Sequence, residues 1–164
     1  MNGRIVCNTG PIISLAIIDN LDILRRIFHE VIVPEAVHNE LLQGGPDFAG
    51  VASYQQSSWI KVQTPSTPVE PLLQTVLDKG EASVIQLARE CDADLVLIDE
   101  RKARKVAREI YGMRVVGSAR LLVEAKQLGL INNVKDAITG MRNGGYWIQN
   151  DIIDFALRKA GEDE

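Results

Sequence analysis

Residues 94–99, Asp-Leu-Val-Leu-Ile-Asp, constrain the fold of this chain more than any other stretch. Four unbroken apolar residues bounded by carboxylates suit a strand buried on both faces, not one with a solvated side. Burial on both faces is the habit of a parallel sheet covered by helices. Shorter runs at Arg4-Ile5-Val6-Cys7, Val31-Ile32-Val33 and Arg114-Val115-Val116 also read as strands, with a short extended piece at 59–62. Between them the pattern is helical: 11–18, Asn20 to about Phe28, Pro34 to the Gly44-Gly45 stop, and 47–57. Further helices are expected from Glu81 to Cys91, from a cap at Asp99 to about Tyr111, from Ser118 to Leu128, and over about 133–142 and 151–160. Thr64 to Pro71 carries three of the six prolines and reads as a surface loop inside one domain. The alternation predicts an α/β fold: a three-layer α/β/α sandwich around a mainly parallel sheet of four to five strands, one domain over 1–164.

Composition narrows the function. The 164 residues are 46% hydrophobic and 24% charged, ample for a core and unlike a disordered or disulfide-built chain. No apolar run is long enough to cross a bilayer. Arg4 is followed by only three apolar residues before Asn8, too few for a signal-peptide core. Cys7 and Cys91 lie in apolar segments without metal-ligand spacing and read as buried thiols of a reducing compartment, so the expected location is the cytoplasm. With 18 Lys and Arg against 22 Asp and Glu, the net charge of −4 argues against a surface coated to grip nucleic acid. It leaves room for a nuclease, whose metal site is itself made of carboxylates.

Several chemistries drop out. No Gly-x-Gly-x-x-Gly is present, and Gly112 to Ser118 has phosphate-loop spacing but lacks the lysine. His29 and His38 have no zinc spacing, and no strand end carries a serine with a histidine nearby.

Three acids remain in unusual places. Asp99 closes the most apolar strand, where a helix cap is its plain role. Glu81 lies one turn before Val84 on a stripe continued by Leu87, Ala88 and Cys91, so its carboxylate points to the sheet side. A first-turn glutamate complementing the helix dipole has the same address, and Gly80 fits either a plain turn or close backbone approach to a ligand. Glu40 falls beside the apolar positions Ala36, Val37 and Leu41, where it is either a ligand or a snorkelling edge residue. Three such carboxylates brought within about 5 Å repel by roughly 3 kcal/mol per pair at an effective dielectric of about 20. Mg²⁺ or Mn²⁺, which take oxygen ligands, relieves that repulsion. Beyond Asp99 the helix buries Ala103, Val106, Ala107 and Ile110. Its five basic residues face outward, with Arg101 and Lys102 nearest the acids, suited either to a phosphate backbone or to solvent.

These blocks in this order resemble the PIN-domain superfamily, in its VapC-like DUF3368 branch. The matching segments are Ile5 to Ile13, Val31 to Val37 with Glu40-Leu41, Lys79-Gly80-Glu81-Ala82, Asp94 to Arg104, and Val115 to Ser118. The resemblance implies a compact α/β/α fold and a metal-dependent ribonuclease site for single-stranded RNA. Glu40, Glu81 and Asp99 match three acidic positions of the family. Asn8 stands where the first aspartate is expected: its amide oxygen can ligate Mg²⁺ or Mn²⁺ but brings no charge and cannot act as a base. Asn8-Thr9-Gly10-Pro11 is also good turn chemistry. Ser118 matches a small polar residue near the metal, and Ser118, Thr9, Arg101 and Lys102 are the expected substrate contacts. The resemblance further implies a small antitoxin protein as partner, and a homodimer, with Tyr146, Trp147 and Ile148 as either partner surface or plain core. A catalytically weak or inactive module that binds RNA or a protein is the alternative. A phosphoacceptor domain fits poorly, because it needs an acid where Asn8 stands.

Overall fold

The computed structural model describes residues 1–44 and 50–163. Five strands, β1 (Arg4–Cys7), β2 (Glu30–Pro34), β3 (Lys61–Gln63), β4 (Leu95–Leu97) and β5 (Val115–Val116), form one sheet in the order β3-β2-β1-β4-β5. All neighbours are parallel: Ile5 pairs with Val31 on one side and Leu95 on the other, Ile32 with Lys61, and Val96 with Val115. The central strand shows why the apolar runs are continuous, since Ile5, Val6 and Cys7 are sealed from solvent on both faces. Burial pushes the Cys7 thiol pKa up, so this cysteine is inert packing.

Ten helices cover the sheet among the described residues: α1 (Thr9–Ile17), α2 (Ile23–Ile27), α3 (Glu35–Gln43), α4 (Val51–Gln56), α5 (Pro71–Val76), α6 (Lys79–Glu90), α7 (Arg101–Glu109), α8 (Ser118–Gln127), α9 (Val134–Asn143) and α10 (Asn150–Lys159). The result is the three-layer α/β/α sandwich expected from the alternation. Helix α6 packs across β1, β2 and β4, and α8 lies against α1, α9 and α10. The chain runs from β1 out to β2 and β3, then returns to build β4 and β5 on the other side. Strand order therefore reverses between β1 and β4, where an open parallel sheet leaves a crevice beyond its carboxyl ends.

The differences from expectation have physical causes. The proline-rich loop gives way at Pro71 to α5, because a proline at the first helical position donates no bond the helix needs. Helix α6 begins at Lys79, since Asp78 caps it, and it is buried nearly all round rather than along one stripe. Asn20 does not cap α2, which starts after Asp22. Asp99 does not cap α7; the Glu100 side chain does, accepting from the Ala103 amide at 2.8 Å. Ile110 is 53% exposed instead of closing the α7 stripe, and Ala36 and Cys91 are only half-buried. Residues 47–49 of the helix expected over 47–57, and Gly45 of the expected stop, lie outside the described residues.

Candidate active site

The ends of β1 and β4 are tied together by the Asn8 amide, which donates to the Leu97 carbonyl at 3.0 Å. Asn8 is the N-cap residue of α1, in extended backbone and 9% exposed, yet its side chain makes no capping hydrogen bond. The amide oxygen that could ligate a cation is thus not engaged by its own helix.

One residue on, Thr9 Oγ1 donates to Glu40 Oε2 at 2.8 Å. Glu40 is exposed on α3, but its carboxylate rests against the first turn of α6: a Cβ on Gly80 would lie 2.4 Å from Oε1. Gly80 therefore serves neither as a plain turn nor against a ligand: it lies in the first turn of α6, and the group that approaches it is the Glu40 side chain. Helix α3 packs against α6, which sets this meeting.

Glu81 follows directly and is only 8% exposed. Its Oε1 accepts from the Asp78 amide at 3.2 Å, and Asp78 Oδ1 accepts from the Glu81 amide at 2.8 Å, a reciprocal capping box. Burial raises the Glu81 pKa to about 7. The charges of Asp78, Glu100 and Glu40 push the same way, against the hydrogen bond from the Asp78 backbone. The helix start holds a carboxylate that its surroundings push toward neutrality.

Asp99 is held very differently. Oδ1 accepts from the Ser118 amide at 2.6 Å, and Oδ2 accepts from Ser118 Oγ and from the Tyr146 hydroxyl, each at 2.5 Å. It therefore does sit at a helix N-terminus, but that of α8, the helix leaving the neighbouring strand β5, where backbone N–H groups and the helix dipole favour an anion. Ser118 is fully buried, with its Oγ 3.0 Å from Ser14 Oγ. Arg104 turns inward, against the expectation that the α7 cations all face out. Its guanidinium donates to the Ile98 carbonyl at 2.9 Å and crowds Gly117 together with Asp99. Burial lowers the Arg104 pKa, Arg108 pushes the same way, and the Asp99 charge opposes them. Arg101 and Lys102 are exposed at the start of α7.

Among the described residues, no three Asp, Glu, His or Cys side chains are grouped to hold a metal ion. Glu40 and Glu81 meet at the start of α6, whereas Asp99 is engaged by Ser118 and Tyr146. The donor set itself, carboxylate and amide oxygens without thiolate or imidazole, has the chemistry of a hard divalent cation. Burial chiefly, and the charges of Asp78, Glu100 and Glu40 besides, raise the Glu81 pKa, and a bound cation would offset both.

Four residues of this neighbourhood were not expected at it: Asp78 and Glu100, Arg104, expected to face outward, and Tyr146, expected as partner surface or core. Asp78 was accessible, because Asp-x-x-Glu ahead of an apolar run is a capping-box signature. Tyr146 and Trp147, adjacent in sequence, separate: Tyr146 turns in to Asp99, and Trp147 is 69% exposed with the Arg142 guanidinium 4.5 Å from its ring centre.

Fold and site together define a doubly wound parallel α/β protein with an acidic centre at its strand-order reversal. More narrowly, the chain belongs to the PIN-domain family DUF3368, which it matches over residues 4–162. PIN domains are generally nucleases and typically use divalent metals. No curated protein and no solved structure matches the chain. No helix among the described residues is long and apolar enough to cross a membrane.

Proposed function

We propose that this chain is a divalent-metal-dependent endoribonuclease that hydrolyses phosphodiester bonds in single-stranded RNA. The observation that carries the reading is Glu81: a buried carboxylate beside Glu40, Asp78 and Glu100, at the edge of the sheet where such folds bind ligands. Asn8, Glu40, Glu81 and Asp99 would hold Mg²⁺ or Mn²⁺. Bound there, such a cation would supply positive charge for a phosphoryl oxygen and lower the pKa of a water. The protein's part is placement. Thr9 fixes the Glu40 carboxylate, the capping box fixes Glu81, and Ser118 fixes Asp99 through both its amide and its hydroxyl. Arg101 and Lys102, exposed beside Asp99, contact the RNA backbone. Arg104 stays with the Ile98 carbonyl and keeps a positive charge behind Asp99.

The test is cleavage of labelled single-stranded RNA with Mn²⁺, Mg²⁺ or EDTA, beside Asp99→Asn. Metal-dependent cleavage lost in the variant is expected, with a fall of about a hundredfold or more. A second reading, a module that binds RNA or a protein with little or no turnover, is favoured by two observations: asparagine at position 8, and no three acids grouped for a metal among the described residues. Folded protein that binds RNA but cleaves none under any metal selects it. Under the first reading the chain acts in the cytoplasm as a toxin restrained by a small antitoxin and pairs with a second copy of itself. Co-purification with the product of a neighbouring small reading frame, and light scattering, test those two partners.

A further inference from the structure

We propose that Tyr146 is a working member of this site: seated where strand order reverses, its hydroxyl positions Asp99 and withholds the Oδ2 oxygen from any cation. The inference rests on the cation-binding reading above and adds a residue to it. An ionised carboxylate has about four acceptor positions. On Asp99, Oδ2 accepts from Ser118 Oγ and from Tyr146, and Oδ1 accepts from the Ser118 amide. One position is left, on Oδ1. Asp99 can thus offer a cation a single oxygen and cannot chelate with both.

The placement of Tyr146 is specific. Its hydroxyl packs over Gly10, where a Cβ would lie 2.9 Å away, so the glycine after Asn8-Thr9 opens the path by which the phenol reaches the crevice. The loop that delivers it is anchored on both sides. The Tyr146 amide donates to the Met141 carbonyl at 2.9 Å, and Arg142 donates to the Ile148 carbonyl and to Asn150 Oδ1, each at 2.7 Å. Gly145 takes a left-handed φ of +96°, which the turn requires, and Gly144 is kept small by the close approach of the Ile17 side chain on α1. Because the ring is fixed from its own loop, its hydroxyl competes with a cation for Asp99 and does not simply follow the carboxylate.

Tyr146→Phe removes the hydroxyl and keeps the ring. Mn²⁺ binding is measured by titration calorimetry on the full chain, for wild type, Tyr146→Phe and Asp99→Asn. A dissociation constant about three- to tenfold lower in Tyr146→Phe is expected, the scale on which losing part of a charge-assisted hydrogen bond frees an acceptor. A second measurement needs no variant except for assignment. In protein labelled with ¹³C at tyrosine Cζ, the Tyr146 resonance is expected to move as Mg²⁺ is added, while those of Tyr54 and Tyr111 stay. A folded Tyr146→Phe that binds Mn²⁺ no more tightly than wild type, or a Tyr146 signal unmoved at saturating Mg²⁺, overturns the role of Tyr146 alone. Absence of Mn²⁺ binding in wild type and Tyr146→Phe alike overturns the cation reading and this role with it. Binding by Tyr146→Phe where wild type binds none supports it most strongly.

Discussion

Two carboxylates on opposite sides of the strand-order reversal are treated in opposite ways. Asp99 at the end of β4 has three donors on two oxygens, delivered by the start of α8 and by Tyr146. Glu81 in the first turn of α6 has one backbone donor at 3.2 Å and three acidic neighbours, and its pKa is raised to about 7. Both stand at helix N-termini, so the dipole does not explain the contrast. Burial and donor count do: Glu81 is buried with one donor, whereas Asp99 is half-buried with three. The Asp99 end is electrostatically complete without a cation, and the Glu81 end is not. In a metal-free protein the first should stabilise the fold and the second should strain it.

The largest expected effect breaks the complete end. Asp99→Ala leaves the Ser118 amide, the Ser118 hydroxyl and the Tyr146 hydroxyl without their acceptor. Each buried donor so stranded costs about 1–3 kcal/mol, less where water enters. A loss of about 3 kcal/mol in urea unfolding is expected. A loss below about 1 kcal/mol would show that these short contacts add little and that Asp99 is no better satisfied than Glu81.

The opposite sign is expected at the other end. Glu81→Gln keeps the acceptor oxygen and the capping box but removes the charge. The folded pKa of about 7 lies above the ordinary value of 4.5, so the folded state binds the extra proton and stability falls as pH rises between the two. In EDTA at pH 8 the variant is expected to be more stable than wild type by about 1–2 kcal/mol, the worth of the shift after solvent screening. The difference should close as pH falls toward 5. Equal stabilities at both pH values would mean that neither burial nor the acidic neighbours penalise the ionised Glu81. Added Mn²⁺ should reverse the order at pH 8, because only the wild type retains the ligand charge.

The same contrast separates what the sequence displays from what it hides. The run Leu95 to Ile98 announces β4 because burial on both faces needs no partner's identity to be read. Glu81 and Glu40 were found because helical periodicity fixes which face a residue shares. The engagement of Asp99 could not be found that way: its partners lie 19 and 47 residues along the chain, and only the packing of β4 beside β5 and the turn after α9 brings them in. Local preference misplaced the cap as well. Asp99 and Glu100 are both suitable capping acids, and tertiary structure alone gives Glu100 to α7 and Asp99 to α8. The inward turn of Arg104 was hidden for a related reason, since a long side chain on an outward position can fold back over Gly117, which has no side chain to stop it.

The smallest expected effect sharpens the donor-count rule by removing burial from it. Glu90, exposed at the end of α6, accepts from the backbone and hydroxyl groups of both Ser66 and Thr67 and from Gln86. The Thr67 hydroxyl is the largest cause of a pKa lowered to about 2; desolvation opposes it, and Ser66 and Gln86 add to the lowering. The shift is downward, so the stability it brings is present above pH 4.5 and is lost as pH falls toward 2. Because the site faces solvent, Glu90→Gln should cost below about 1 kcal/mol at pH 7 and nothing at pH 2, read from thermal unfolding across that range. If the cost at pH 7 instead approached that of Asp99→Ala, donor number alone would set the worth of these carboxylates. A cost well below it would assign the excess at Asp99 to its dry setting, where each donor acts in a lower dielectric.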